Sequence, residues 1–306
     1  MAPSLTSTQP RRLKILRWLL FGAALPLASC ERAGVYDPQG PVAAAEWMLF
    51  VNATEIMLVV VIPVILATFG FAWWYRSSNP RASREADIAY EGRIELVVWS
   101  VPALVVILVG GVTWISCYQL DPAKPLAGTA KPLPVEVVAL DWKWLFIYPD
   151  QGVAAVNQLV VPAGTPVSFR LTSATVMNSF FVPQLGSQIY AMGGMTTRLN
   201  LLADQPGDYP GISANFSGDG FAEMRFVVKS VPQASFDDWV AAAKATGAKL
   251  DDAGYAALAR PSRAAPEATY GTVAPQLFDR IIEQTIAGPD KPSDAALCAP
   301  GQQGRS

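Results

Sequence analysis

The stretch GISANFSGDGFAEMRF, Gly211 to Phe226, sets Ser213, Asn215 and Ser217 in a small polar loop that runs into a strand-like Met-Arg-Phe. It has the form of a ligand-binding loop. Asn178, in NSFFVP, opens a second strand that could bring its amide to the same end of a β-domain. The donors on offer are hydroxyls, amides and the single thioether of Met224, and Phe221 offers none. Oxygens of this kind do not hold a soft metal, and one thioether does not hold copper against water. The chain contains no histidine, which removes the commonest general base near neutral pH and the commonest zinc, copper and haem ligand. Cys30, Cys117 and Cys298 lie far apart in dissimilar contexts, so neither a disulfide framework nor a thiolate metal site is indicated. A net charge of -2 argues against a nucleic-acid partner.

The elements that must position these residues are a membrane anchor and a β-domain. Arg11, Arg12, Lys14 and Arg17 precede the apolar run WLLFGAALPLAS, the pattern of an export signal over residues 1–29. Its end, Leu27-Ala28-Ser29-Cys30, is similar to a bacterial lipobox, in which Cys30 would be acylated and become an outer-face lipid anchor. An outer segment, 30–47, leads to a first transmembrane helix over 48–75. Its run IMLVVVIPVILATFGFAWW has no charge and closes on Trp73, Trp74, Tyr75 and Arg76. A second span is expected over 95–118, tolerating Pro102 and the Gly110-Gly111 pair. Arg76, Arg81, Arg84 and Arg93 flank or lie in the connecting loop, 76–94, whereas the outer segment carries only Arg32. The positive-inside rule puts that loop in the cytoplasm and both ends of the hairpin outside.

After a Pro-rich linker, 119–131, short alternating runs separated by turn residues predict an extracytoplasmic all-β sandwich over 132–229. A helical extension is expected over 230–287, its first helix opening with a capping box at Ser235, and the tail 288–306 is expected to be disordered. The fold class is therefore membrane α plus all-β. Within DWKWLFIYP, Trp142, Trp144, Phe146 and Tyr148 fall at period two, either as one face of a sandwich core or as a partner interface. Cys117 reads as a packing residue, Met224 as core and Glu55 as an interfacial carboxylate. Glu95, in the first turn of the second span, is favoured there by the helix dipole and headgroup water.

The architecture resembles subunit II of the haem-copper respiratory oxidases, a two-helix hairpin followed by a cupredoxin-like β-domain. Copper-bearing members hold a dinuclear centre with H-S-F-x-[VI]-P and C-S-E-x-C-G-x-x-H-x-x-M. This chain keeps the frame of both motifs and loses the ligands. Asn178 and Phe221 stand at the two His positions, Ser213 and Ser217 at the two Cys positions, and Asn215 at the Glu, while Gly218 and Met224 remain. The pattern, with VALDWKWLFIYPDQGVAAVNQL and SATVMNSFFVPQLGSQIYAMGGMTTRLNL, is similar to the quinol-oxidising branch, the cytochrome bo-type ubiquinol oxidases, whose subunit II lacks copper. The resemblance implies a bacterial inner-membrane complex that oxidises ubiquinol, reduces oxygen to water and pumps protons. It places haems and one copper in subunit I and none here, with subunits III and IV as further partners and no cytochrome c. It makes Glu95 the entrance of a proton-uptake channel that continues into subunit I. A copper-bearing cytochrome c oxidase subunit and a lipid-anchored assembly or scaffold protein are the rival readings.

Overall fold

In the computed structural model, residues 34–83, 91–126 and 130–283 are described. The expected signal, Cys30 and the tail with Cys298 lie outside them. Two long helices come first, α1 (Pro41–Trp74) and α2 (Gly92–Gln119), both apolar enough to cross a bilayer; their apolar stretches are unburied within the chain, and Ala43 near the start of α1 is buried. Pro63 and Pro102 lie inside these helices. α1 begins well before its uncharged stretch, which starts at Ile56.

The strands β1 (Leu133–Leu140), β2 (Lys143–Tyr148), β3 (Val153–Val156), β4 (Gln158–Pro162) and β5 (Val167–Ser173) follow, then β6 (Asn178–Phe181) and β7 (Ile189–Ala191). The sandwich is completed by β8 (Thr197–Leu201), β9 (Gly207–Ser213) and β10 (Arg225–Val231). The extension supplies α3 (Gln233–Ala245), β11 (Lys249–Leu250), α4 (Asp252–Leu258), β12 (Ala268–Tyr270), β13 (Thr272–Val273) and α5 (Leu277–Ile282). One sheet runs β12-β3-β2-β1-β5-β8, a second β4-β10-β9-β6-β7, and β11 pairs with β13 apart from both. The two sheets face each other across Trp144, Phe146, Tyr148, Phe169, Phe180 and Phe226.

All six residues of β2 are buried. Trp144, Phe146 and Tyr148 enter the core between the sheets, whereas Leu145 and Ile147 point the other way and join Leu250, Tyr255, Leu277 and Phe278 of the extension. Each such fully buried side chain contributes about 1.5–3 kcal/mol, so the extension stabilises a face that would otherwise be wet. It also adds β12 to the sheet beside β3. The boundary expected after residue 229 is therefore crossed by a sheet strand and a shared apolar layer. Lys143 is buried and donates to the carbonyls of Leu258 and Arg260 at 2.8 and 2.7 Å, closing the end of α4. Arg170 on β5 binds Glu136 and Asp279 at 2.9 Å each and lies over the Phe278 ring.

Two sequence expectations fail locally. Trp142 does not share the face of the other three aromatics, because it precedes β2 in a left-handed conformation, φ 63°, that turns its ring elsewhere. Helix α3 starts at Gln233, after Pro232, with no side-chain cap. Proline has no N–H to satisfy and its fixed φ starts the helix three residues early, leaving Ser235 inside it.

The hairpin is fastened to the sandwich at both outer ends. Gln39 N–H donates to the Gln184 carbonyl and Asp204 N–H to the Gln39 carbonyl, and a Cβ on Gly40 would lie 2.1 Å from the Leu202 carbonyl oxygen. Following α2, the Pro122 carbonyl accepts from the Asn200 N–H at 3.0 Å. Glu46 accepts from the Ser187 N–H at 3.1 Å. Burial raises the Glu46 carboxyl above its ordinary range, and the Ser187 bond opposes this in part. A raised acid pKa means that folding disfavours the ionised form, so the penalty is full above the folded pKa and fades as pH falls below it. Glu46→Gln, which keeps an acceptor for Ser187, is expected to raise the thermal midpoint of the detergent-solubilised chain at pH 8. The gain should shrink towards about pH 4, where carboxylates protonate anyway; a constant difference across that range would contradict the assignment.

Candidate functional site

The residues singled out from sequence converge on one end of the sandwich. β6 starts at Asn178, β9 ends at Ser213, and Met224 immediately precedes β10, so three neighbouring strands deliver them. Register explains the meeting: Phe180 pairs with Ser213 across β6 and β9, and Ile212 pairs with Arg225 across β9 and β10. Gly211 is needed in that ladder because the Phe226 ring lies on it, with a hypothetical Cβ only 2.1 Å from the ring.

Hydrogen bonds fill the place. Ser213 Oγ donates to Asn178 Oδ1 at 3.2 Å, and both side chains are buried. Asn178 Nδ2 donates to the Val176 carbonyl at 3.0 Å, and Asn215 Nδ2 to the Met177 carbonyl at 3.1 Å. The Ala214 N–H reaches the Ser179 carbonyl at 2.9 Å, and the Ser213 N–H reaches the Met224 carbonyl at 3.1 Å. Met224 is buried in the apolar core with Phe226 and Trp144. Phe221 opens a short 3-10 turn and is half-buried edge-on to the exposed Phe216 ring, 5.6 Å between centroids. The Ser217 hydroxyl is buried without a hydrogen-bond partner among the described residues.

Sequence reasoning missed what clamps the loop. The Trp142 indole N–H donates to the Ser217 carbonyl at 3.0 Å, and its ring lies against Gly218 and Gly220. Gly218 has φ 104°, a conformation that favours glycine. Arg263, from the extension, lies over Trp142 and pairs with Asp219 at 3.2 Å. No local pattern announces a left-handed tryptophan, because the bond that holds it spans 75 residues.

The donor set can be tested against a dinuclear copper centre. Such a centre needs bridging thiolates and imidazoles; two serines, two asparagine amides and a phenyl ring supply neither. The amide and one hydroxyl are already bonded to each other and to backbone carbonyls. The residues do not fit copper. Among the described residues no group of three or more His, Cys, Asp or Glu is placed to hold a metal ion. Elsewhere, Glu95 lies in the first turn of α2 and is exposed, as is Glu55 on α1.

A two-helix membrane anchor bearing a cupredoxin-like sandwich defines the subunit II class of the haem-copper oxidases, and residues 151–231 match the family "Cytochrome C oxidase subunit II, periplasmic domain". Residues 244–288, within and just beyond the extension, match the "COX Aromatic Rich Motif". The chain is 46% identical over 275 residues to "Cytochrome bo(3) ubiquinol oxidase subunit 2" of Pseudomonas aeruginosa, covering 90% of this chain and 83% of that one. The protein of the same name from Pseudomonas putida is 49% identical over 275 residues, 90% and 86% of the two chains. "Ubiquinol oxidase subunit 2" of Acetobacter aceti is 49% identical over 262 residues, 85% of each. The chain belongs to the subunit 2 family of the cytochrome bo-type ubiquinol oxidases.

The Trp142 clamp leaves no room beside Gly220, where an added Cβ would come within 2.4 Å of the indole. Gly220→Ala is expected to cost about 1–3 kcal/mol of domain stability, the usual scale of forced overpacking. Chemical denaturation measures the loss. Protease cleavage between 213 and 221 should rise in parallel, whereas a fully resistant loop would show that Trp142 is not the clamp.

Proposed function

We propose that this chain is the non-redox subunit II of a proton-pumping terminal ubiquinol oxidase, in which ubiquinol is oxidised and oxygen reduced to water within subunit I. Identity of 46–49% across most of the chain to ubiquinol oxidase subunits, together with a loop whose donors cannot hold copper, carries this reading. The haems and one copper belong to subunit I, and this chain supplies no electron carrier. Its hairpin packs on subunit I in the bilayer, with subunits III and IV as further partners. Its β-domain covers the outer surface, where the Ser213–Asn178 pair and the Trp142 clamp close the end that would otherwise have been a metal loop. No docking of cytochrome c is required, because no centre here would receive its electrons. Acylation at Cys30 adds a lipid anchor on the outer face of the bacterial inner membrane.

Metal analysis of the purified complex tests the assignment. One copper per complex, accompanied by haem, is expected; additional copper that follows this chain would refute it.

Glu95 is proposed as the entrance for protons drawn into subunit I from the cytoplasmic side. Its place in the first turn of α2 supports this, because a carboxylate there meets headgroup water and the positive end of the helix dipole. Glu95→Ala is expected to slow oxidase turnover wherever proton delivery limits the rate, with haem content unchanged. Undiminished turnover and pumping would remove Glu95 from the pathway.

A further inference from the structure

We propose that Lys124 and Arg198 form a headgroup site for an anionic phospholipid at the outer membrane surface, where strand β8 comes down beside the end of α2. The inference rests on the outward placement of the β-domain and adds a ligand that the oxidase reading does not itself require.

Two attachments fix the slope of β8 against the bilayer. Just past its end, the Leu202 carbonyl lies against Gly40, ahead of α1. From Gly40 to Ile56, where the uncharged stretch begins, the helix rises about 24 Å, or about 18 Å along the membrane normal at a tilt of about 40°. Asn200 is bound instead to the chain that follows α2. Its N–H donates to the Pro122 carbonyl at 3.0 Å, and its Nδ2 reaches the Pro122 and Lys124 carbonyls at 3.3 and 3.2 Å. Pro122 is close to the end of the span, at most about 14 Å of chain beyond Tyr118. Trp114 and Tyr118, exposed and edge-on at 5.4 Å, are the aromatic belt that marks where α2 leaves the hydrocarbon. β8 therefore descends from Leu202 to Asn200, and Arg198 lies about 7 Å further down the strand. That brings its long side chain to the headgroup layer, which extends about 5–8 Å beyond the core.

Charge and register favour an anion there. Leu199 and Leu201 point into the core, so Arg198 and Asn200 share the outer face of β8, the face on which Lys124 is held. Arg198 and Lys124 are both exposed, and among the described residues neither makes an ion pair or a side-chain hydrogen bond. The carboxylates on the neighbouring strand do not serve them: Arg170, directly across from Arg198, already binds Glu136 and Asp279. Asp121, the acid nearest Lys124 in the chain, accepts the Ala123 N–H at 2.9 Å. A planar guanidinium matches two phosphate oxygens and an ammonium adds a point charge, the pairing that suits a phosphodiester. Basic residues just beyond a membrane span attract anionic lipid in this way.

The test uses the full chain in zwitterionic detergent, probed with phosphatidylglycerol and phosphatidylcholine carrying the same acyl chains. Native mass spectrometry is expected to show phosphatidylglycerol adducts in about tenfold excess, the scale that two basic groups near a surface supply. The Lys124→Gln/Arg198→Gln pair should abolish the excess. Lys244→Gln/Lys249→Gln, which removes the same charge from exposed positions on the extension, should keep it. Equal counts of the two lipids on the unaltered chain, an excess that survives in the first pair, or one lost equally in both pairs would overturn the site. If the first pair does not accumulate, a benzophenone amino acid at position 198 decides in native membranes. An adduct with phospholipid is expected there, and adducts with protein alone would overturn the proposal. A chain that selects phosphatidylglycerol yet purifies from its membranes without haem would sink the oxidase reading and leave the lipid site standing.

Discussion

Strand β2 has no solvent face, and the rest of the extramembrane structure follows from that constraint. Trp144, Phe146 and Tyr148 must be covered on one side, and the second sheet does so through Phe180 and Phe226, whose rings stack 4.9 Å apart. Tyr148 also needs a partner for its hydroxyl, and it both donates to the Val160 carbonyl and accepts from the Val160 N–H at 2.9 Å, tying β2 to β4. Leu145 and Ile147 must be covered on the other side, and only the extension is there to do it. A cupredoxin-like sandwich usually leaves one sheet face to water. Here the aromatic-rich extension converts that face into a second core, with Lys143 and Arg170 as polar ties.

The loop from Ser213 to Phe221 shows how a metal-type frame can be held without a metal. Copper would have organised the loop through bonds to its side chains. In its place, Ser213 and Asn178 bond each other, Asn215 bonds the neighbouring strand entrance, and Trp142 grips the Ser217 carbonyl. The extension takes part again through Arg263, which pairs with Asp219 and covers the indole. The same segment thus seals the sheet face and steadies the loop. The buried, unpartnered Ser217 hydroxyl is the one donor of the set that this replacement leaves unsatisfied among the described residues.

The membrane part obeys a different constraint. Lipid requires helix and apolar surface, so the apolar stretches of both spans bury nothing within the chain and Pro63 and Pro102 are accommodated. Specificity enters only where the helices leave the bilayer, at Gly40 against Leu202, at Glu46 with Ser187, and at Asn200 with the Pro122 carbonyl. Those contacts make the β-domain an attached cap on the hairpin.

Much of this was legible in the sequence because it rests on short-range pattern. Runs of apolar residues define the spans, alternation defines the strands, and the preserved spacing around Asn178, Ser213 and Met224 with changed donors defines a family frame that has lost its metal chemistry. Other features were decided only by tertiary structure. Period two put Trp142 with the core aromatics, but its left-handed backbone turns it onto a loop far along the chain, and a long-range bond rewards that turn. The extension read as a separate helical piece, since a three-residue strand such as β12 carries too little pattern to be seen before its neighbour β3 is in place. Phe221 stands at one of the family's His positions, and only the fold shows that its ring leans on Phe216. Local chemistry is written in residue types and spacing. Which distant surfaces meet is set by the packing of β2, whose two faces had to find cover at once.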